Sequence, residues 1–272
     1  MHNSYDPNRE IKKAAEAVIL ARWDLIRALV DRTEQEHIVS KVIYMKFLAR
    51  CGEKELQKRK LQLRNAGLEM KMEYMKERLR RNEAIDPGEI RRKIQATTEQ
   101  AEADIRLMEM LWKKSMRQYR VEKRLTDVRK MNKDLYLDIV MKTSPDVYPG
   151  IERKRRQMFA GGDRAYKSGD ALTLRRIRNA CESLLISYPD GSLAELKEER
   201  MRLEERTRET RAWTALIRRF PPFTYEKLVE DEALIRAYNE ESEQQIQDMQ
   251  QSIIANQATV AKLQRKDRLR RS

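Results

Sequence analysis

The sequence is poor in the residues from which most catalytic and metal sites are built. Its 272 residues hold two cysteines, two histidines, 8 glycines, 7 prolines and only 6% aromatics. Cys51 and Cys181 lie far apart, and neither belongs to a Cys-x-x-Cys pair. That argues against a disulfide scaffold or a zinc site and suits a reducing cytoplasm. His2 lies at the terminus and His37 in a helical stretch; one placed histidine cannot build a His-based metal site, so His37 reads as a surface or packing residue. A Gly-x-Ser-x-Gly elbow, a phosphate loop ending in Gly-Lys-Ser/Thr and a Gly-x-Gly-x-x-Gly turn are all missing. Gly161-Gly162-Asp163 continues into Arg164-Ala165 in a helical context and does not read as a nucleotide cyclase motif. The expectation is a protein that is not an enzyme and that takes neither metal nor cofactor. Long hydrophobic runs are missing too. The most apolar one, Ala14 to Val30, is broken by Glu16, Arg22, Asp24 and Arg27, whereas a membrane span needs about 20 apolar residues. Met1 is followed by polar residues, so no signal peptide is expected. A soluble, cytoplasmic protein without membrane insertion is the reading.

What is abundant is charge on helix-forming residues. Charged residues make up 38% of the chain and apolar ones 40%, with 58 basic against 44 acidic side chains and a net charge of +14. Low Gly and Pro with plentiful Glu, Lys, Arg, Leu, Ala and Met describe long helices whose burial is confined to stripes. The net charge suits an acidic partner, but interleaved signs also describe a solvated helix surface. Asp6-Pro7-Asn8 starts a helix. Ile11, Val18, Leu25 and Leu29 share one face, and Ile19, Trp23, Ile26 and Val30 a neighbouring one, so this helix is expected to be gripped on two sides. After a cluster from Ile38 to Leu48, Cys51-Gly52 reads as a bend or loop. Leu56 to Arg81 resumes the helix, Ala84-Ile85-Asp86-Pro87-Gly88 is a turn, and Glu89 through Tyr119 returns as the second arm of a hairpin.

From Leu125 to about Leu185 the helices become short. Beyond the Tyr188-Pro189-Asp190-Gly191 turn, Ser192 caps a helix to about Arg219, and Phe220-Pro221-Pro222-Phe223 must break it. Thr224 can cap the last helix. Ile246, Met249, Ile253, Asn256, Val260 and Leu263 form the cleanest heptad, spaced 3, 4, 3, 4 and 3. A lone Asn in such a seam sets register. The seam belongs to an antiparallel hairpin or to a site where another chain pairs.

The most informative stretch is Leu135-Tyr136-Leu137-Asp138-Ile139-Val140-Met141-Lys142-Thr143-Ser144-Pro145-Asp146. Leu135, Tyr136, Ile139 and Val140 make an apolar helix face, and Pro145 disfavours α geometry in the residue before it. Phe159 follows after a loop, with Ala165-Tyr166 six and seven residues further on, then Ser168-Gly169-Asp170. This pattern resembles the J-domain of the DnaJ family, in which a Tyr-bearing helix leads into His-Pro-Asp and a second helix carries Phe and Ala-Tyr. The resemblance extends outward to bacterial J-domain-like coiled-coil proteins, in which helical hairpins flank a small J-like unit. It implies an all-α fold in three parts: an N-terminal helical hairpin region over 1–124, a degenerate J-like unit over 125–189 and a C-terminal antiparallel coiled-coil hairpin over 190–272. It implies a J-like core of Tyr136, Ile139, Phe159, Ala165 and Tyr166. It also implies contact with an Hsp70-type chaperone through Ser144, Pro145 and Asp146, with Arg129, Lys130, Lys133 and Lys142 supplying a basic helix face.

Ser144 stands where that family has His. Serine donates a hydrogen bond but lacks the imidazole's size, charge and reach. Gly161 and Gly162 cost the second helix about 1 kcal/mol each relative to Ala. Weak or lost stimulation of the chaperone's ATPase is therefore expected, leaving an interaction or adaptor role. Two alternatives stand beside it. Arg153-Lys154-Arg155-Arg156 with Arg175, Arg176 and Arg178 would bind nucleic acid if they shared a face, although no base-stacking aromatics accompany them. The Ile246–Leu263 seam would instead make a self-associating coiled coil.

Overall fold

A computed structural model describes residues 7–118 and 126–271; His2, Asp6, Tyr119 and Leu125, used above, lie outside them. The fold is all-α, with no strand among the described residues. Helix α1 spans Pro7–Glu34, passes through a π turn at Gln35–Val39 and continues as α2, Ser40–Arg80. Then come α3 (Pro87–Gln118), α4 (Thr126–Thr143), α5 (Arg153–Ser168), α6 (Ala171–Ala180) and α7 (Leu193–Ile217). A 3₁₀ turn at Phe223–Tyr225, a short α8 (Glu226–Glu230) and the long α9 (Glu232–Arg271) close the described chain.

Helix ends follow local chemistry. Pro7, with its fixed φ, opens α1. Asp86 accepts from the Gly88 amide at 2.7 Å ahead of α3. Ser192 and Glu195 form a reciprocal capping box at α7. Gly169 ends α5 in the left-handed region, at φ 77°, where glycine carries no Cβ penalty. Asp231, rather than Thr224, caps the last long helix, accepting from Ala233 and Leu234 amides. Cys51-Gly52 is no bend. Gly52 lies inside α2, where an added Cβ would sit 2.8 Å from Cδ1 of Trp112. The glycine makes room for a tryptophan on α3.

The compact units do not follow the expected three parts with boundaries at 124/125 and 189/190. One unit comprises residues 1–43 and 121–224, the other 44–120 and 225–272. In the first, α1 lies parallel to α7: Arg22 meets Glu199 and Glu36 meets Trp213, each pair 177 residues apart. The opposite flank of α1 packs on α4, so the helix is held on two sides, and Val18, Leu25, Ile26, Tyr136, Ile139, Tyr166, Leu174, Leu196 and Leu203 share one buried core. In the second unit α2 and α3 form an antiparallel hairpin, pinned by Lys60–Glu109 and by Tyr74 and Arg78 on Glu89. Parallel to α2 runs α9, with Lys54 paired to Glu243 and Asn256 donating to Asn65 at 3.0 Å. The expected C-terminal hairpin of 190–272 is thus replaced by pairings of α7 and α9 with helices from the N-terminal half. The heptad seam is spent inside the chain. Ile246, Ile253 and Val260 are buried, and the register-setting Asn256 finds its partner in Asn65. A self-associating seam at Ile246–Leu263 would have to give up this packing.

Candidate partner-binding site

Tyr136 and Ile139 of α4 and Phe159, Ala165 and Tyr166 of α5 lie in one core, with α6 packed on both helices. Tyr136 of α4 stacks on Tyr166 of α5, with ring centroids 4.4 Å apart and 9° between planes. The Tyr136 hydroxyl donates to Asp163 at 3.1 Å. Burial, reinforced by that carboxylate, pushes its pKa well up, so it stays a neutral donor. Ile139 and Ala165 are buried beside the rings, and Phe159 packs on the same core half-buried. Gly161 and Gly162 have a second meaning here. A Cβ on Gly162 would meet Cγ2 of Ile139 at 2.9 Å, and one on Gly161 would meet Cδ1 of Ile177 at 3.1 Å. The glycines let α4, α5 and α6 approach closely.

After α4 the chain turns through Ser144, Pro145 and Asp146. Ser144 is fully buried, its amide bonded to the Val140 carbonyl, and its hydroxyl finds no partner. Asp146 accepts from Arg206 of α7, at 3.0 Å from Nε and 2.9 Å from the second guanidinium nitrogen. One turn earlier on α7, Arg202 donates to the carbonyls of Asp146 and Val147 at 3.0 and 3.1 Å. Two arginines at i and i+4 therefore take the loop's carboxylate and two of its carbonyls, with Leu203 buried beside them. Pro145 and Asp146 remain half-buried.

The four basic residues of α4 do not make one face. At 100° per residue, Lys142 lies half a turn away from Lys133. Lys133 pairs with Glu34 of α1, whereas Lys142 donates to the carbonyls of Cys181 and Glu182 at 3.0 and 3.2 Å. Arg129 is engaged and half-buried, and Lys130 is exposed. No family model, curated protein or solved structure matches the chain.

Three cations that sequence reasoning did not group act together beside this loop. Lys142 of α4, Arg155 of α5 and Arg22 of α1 donate in turn to Cys181 and Glu182, Leu185, and Ser187, lacing down the irregular segment after α6. Arg22 also bonds Glu199 at 2.6 Å and lies over the Tyr148 ring. Nothing in their sequence surroundings separates Arg22, Arg202 and Arg206 from other arginines on mixed-charge helices.

The two basic clusters considered for nucleic acid lie at different levels of the unit. Helices α5 and α6 are antiparallel, with Met158 beside Cys181 and Gly161 beside Ile177. Arg153–Arg156 therefore sits roughly 9–15 Å along the axis from the level of Arg175 and Arg176. Arg178 is taken by Asp138 and Glu182. His37 lies half-buried in the π turn beside Glu36; burial, then Lys167, lower its pKa. Among the described residues no group of His, Cys, Asp and Glu could hold a metal ion, and no helix is long and apolar enough to cross a membrane.

Proposed function

We propose that this chain is a non-catalytic interaction protein in which a J-like three-helix unit serves as a scaffold, with stimulation of an Hsp70-type chaperone weak or lost. The observation that carries the reading is the clamp on the loop. Asp146, the residue through which such a loop would signal, is bound by Arg206, and the neighbouring carbonyls by Arg202. Ser144 faces inward and is fully buried, so it presents no donor to a partner. The Asp146 carboxylate and the Asp146 and Val147 carbonyls are committed to holding α7. The two buried free thiols suit a cytoplasmic protein.

The test is the steady-state ATPase rate of a bacterial Hsp70 with the native chain, with Asp146→Asn and with Arg202→Ala/Arg206→Ala. No acceleration by any of the three is expected from a scaffold. Acceleration by the native chain that disappears in Asp146→Asn would reverse the reading and make this a working co-chaperone. Acceleration by the double arginine variant alone would show that the loop is competent and masked by α7, which also contradicts a scaffold role.

A further inference from the structure

The unit formed by α2, α3 and α9 contains a cleft of about 500 Å³ that no packing within the chain fills. Its origin lies in unequal apolar runs. On α9 the seam ends at Val260 and Leu263, and the residues that follow toward this end are Gln264 and the buried Asp267. The α2–α3 hairpin continues apolar past that point with Met75, Ile85 and Ile90, all buried, while the half-buried Ile94 lies one or two turns back, beside Gly67. Three helices therefore enclose a space to which only two bring hydrocarbon. Its volume falls within the range of about 300–1,000 Å³ typical of small-molecule sites, and Gln95, Thr98 and Gln264 add neutral polar groups to its lining.

The polar rim carries a sign. Lys71 of α2 and Arg91 of α3 line the cleft, and among the described residues neither has an ion-pair or hydrogen-bond partner. Glu102, the acid in the lining, is already taken by Arg106 and by the Thr98 hydroxyl. Nearby Glu89 is held by Tyr74, Arg78 and Lys93. An apolar floor beneath two uncommitted cations fits an aliphatic chain ending in an anionic head. We propose that this cleft binds a single-chain anionic amphiphile, with the chain over Ile94 and the exposed edges of Ile85 and Ile90, above the fully buried Met75, and the head between Lys71 and Arg91.

The test uses the full chain and dodecanoate below its micelle concentration, followed by titration calorimetry, with dodecanol as neutral and dodecyltrimethylammonium as cationic comparison. Sedimentation with phosphatidylglycerol–phosphatidylcholine vesicles separates a free amphiphile from a membrane lipid as the source. Saturable, one-site binding is expected for dodecanoate or for the anionic vesicles. Lys71→Glu/Arg91→Glu should weaken it about tenfold or more, as loss of an attractive pair and gain of repulsion require. Gln264→Trp, a rim substitution on an exposed position that fills the cleft, should abolish it, with helicity and thermal midpoint checked by circular dichroism. No saturable binding of either probe would overturn the proposal. So would equal affinity for the cationic amphiphile, or binding that survives Gln264→Trp in a folded protein.

Discussion

Replacing Gly162 with alanine tests whether α4 and α5 pack as closely as the structure has them. The new Cβ would lie 2.9 Å from Cγ2 and 3.3 Å from Cδ1 of Ile139, a fully buried residue. Carbon atoms rest at about 3.5–4.0 Å, so α4 and α5 must separate by roughly 0.5–1 Å. Ile139 cannot turn the offending methyl away, because a β-branched residue in a helix has one strongly preferred χ1. Overpacking of this kind costs about 1–3 kcal/mol, against about 1 kcal/mol gained in helix propensity. The expected net result is a loss of about 1 kcal/mol. Gly161→Ala provides the control on the adjacent residue. There the nearest atom is Cδ1 of Ile177 at 3.1 Å, the far end of a half-buried side chain that can swing aside. Propensity should prevail, with a gain of up to about 1 kcal/mol. Urea unfolding in a Trp112→Phe background would read Trp23 and Trp213, both in the unit that contains these glycines. A Gly162→Ala protein at least as stable as its parent would refute the close approach. Equal shifts for both variants would mean that helix propensity alone is at work.

Other outcomes follow from the same geometry. Ser144→Ala should stabilise the chain by about 1 kcal/mol, because it removes a buried hydroxyl without a partner; Ser144→His, which must fit an imidazole into filled space, should destabilise it by about 2 kcal/mol. A thermal midpoint that rises for the histidine variant would contradict the burial of that site. Hydrogen bonds from Tyr74, Lys93 and Arg78 outweigh desolvation and hold Glu89 down to a pKa of about 2, from an ordinary value of 4.5. A depressed carboxylate stabilises above its unfolded pKa, and the contribution is lost as pH falls from about 4.5 toward 2. Glu89→Gln should therefore flatten the acid limb of a stability–pH curve; an unchanged limb would remove that network from the account. Both thiols are buried, and desolvation pushes Cys51 up to about 11 and Cys181 upward as well. A thiol reagent at mildly alkaline pH should leave the native chain untouched and label both cysteines in guanidinium; rapid labelling of the native chain would contradict the packing of either residue.

Helices and their ends are legible where the signal is local. Pro7, Asp86-Pro87, the Ser192–Glu195 box and the double proline at 221–222 act within one turn, and each marks an element boundary in the structure. The heptad from Ile246 to Leu263 announces a buried seam, and Tyr136, Phe159, Ala165 and Tyr166 lie in one core. Partner choice is less accessible. An amphipathic stripe says that a helix is covered, not by which helix, so the parallel pairings α1–α7 and α2–α9 could not be read from adjacent hairpins. Gly52 shows the same limit at one residue. As a letter it reads as a helix end, and only Trp112, far along the chain, gives it the opposite meaning. Arg202 and Arg206 are two arginines among 58 basic residues until α7 is laid across the loop after α4.

The most direct test of that loop's role is a double-mutant cycle on stability between Asp146 and Arg206, using Asp146→Asn, Arg206→Ala and the pair. Their side chains are 31% and 40% exposed and the guanidinium approaches through two nitrogens. A favourable coupling of about 0.5–1 kcal/mol is expected for a partly exposed pair of this geometry. Coupling at that level means that α7 holds the loop as a structural joint. A coupling of zero, with each single variant as stable as the native chain, would mean that Asp146 is free to serve a partner, and the scaffold account would fail.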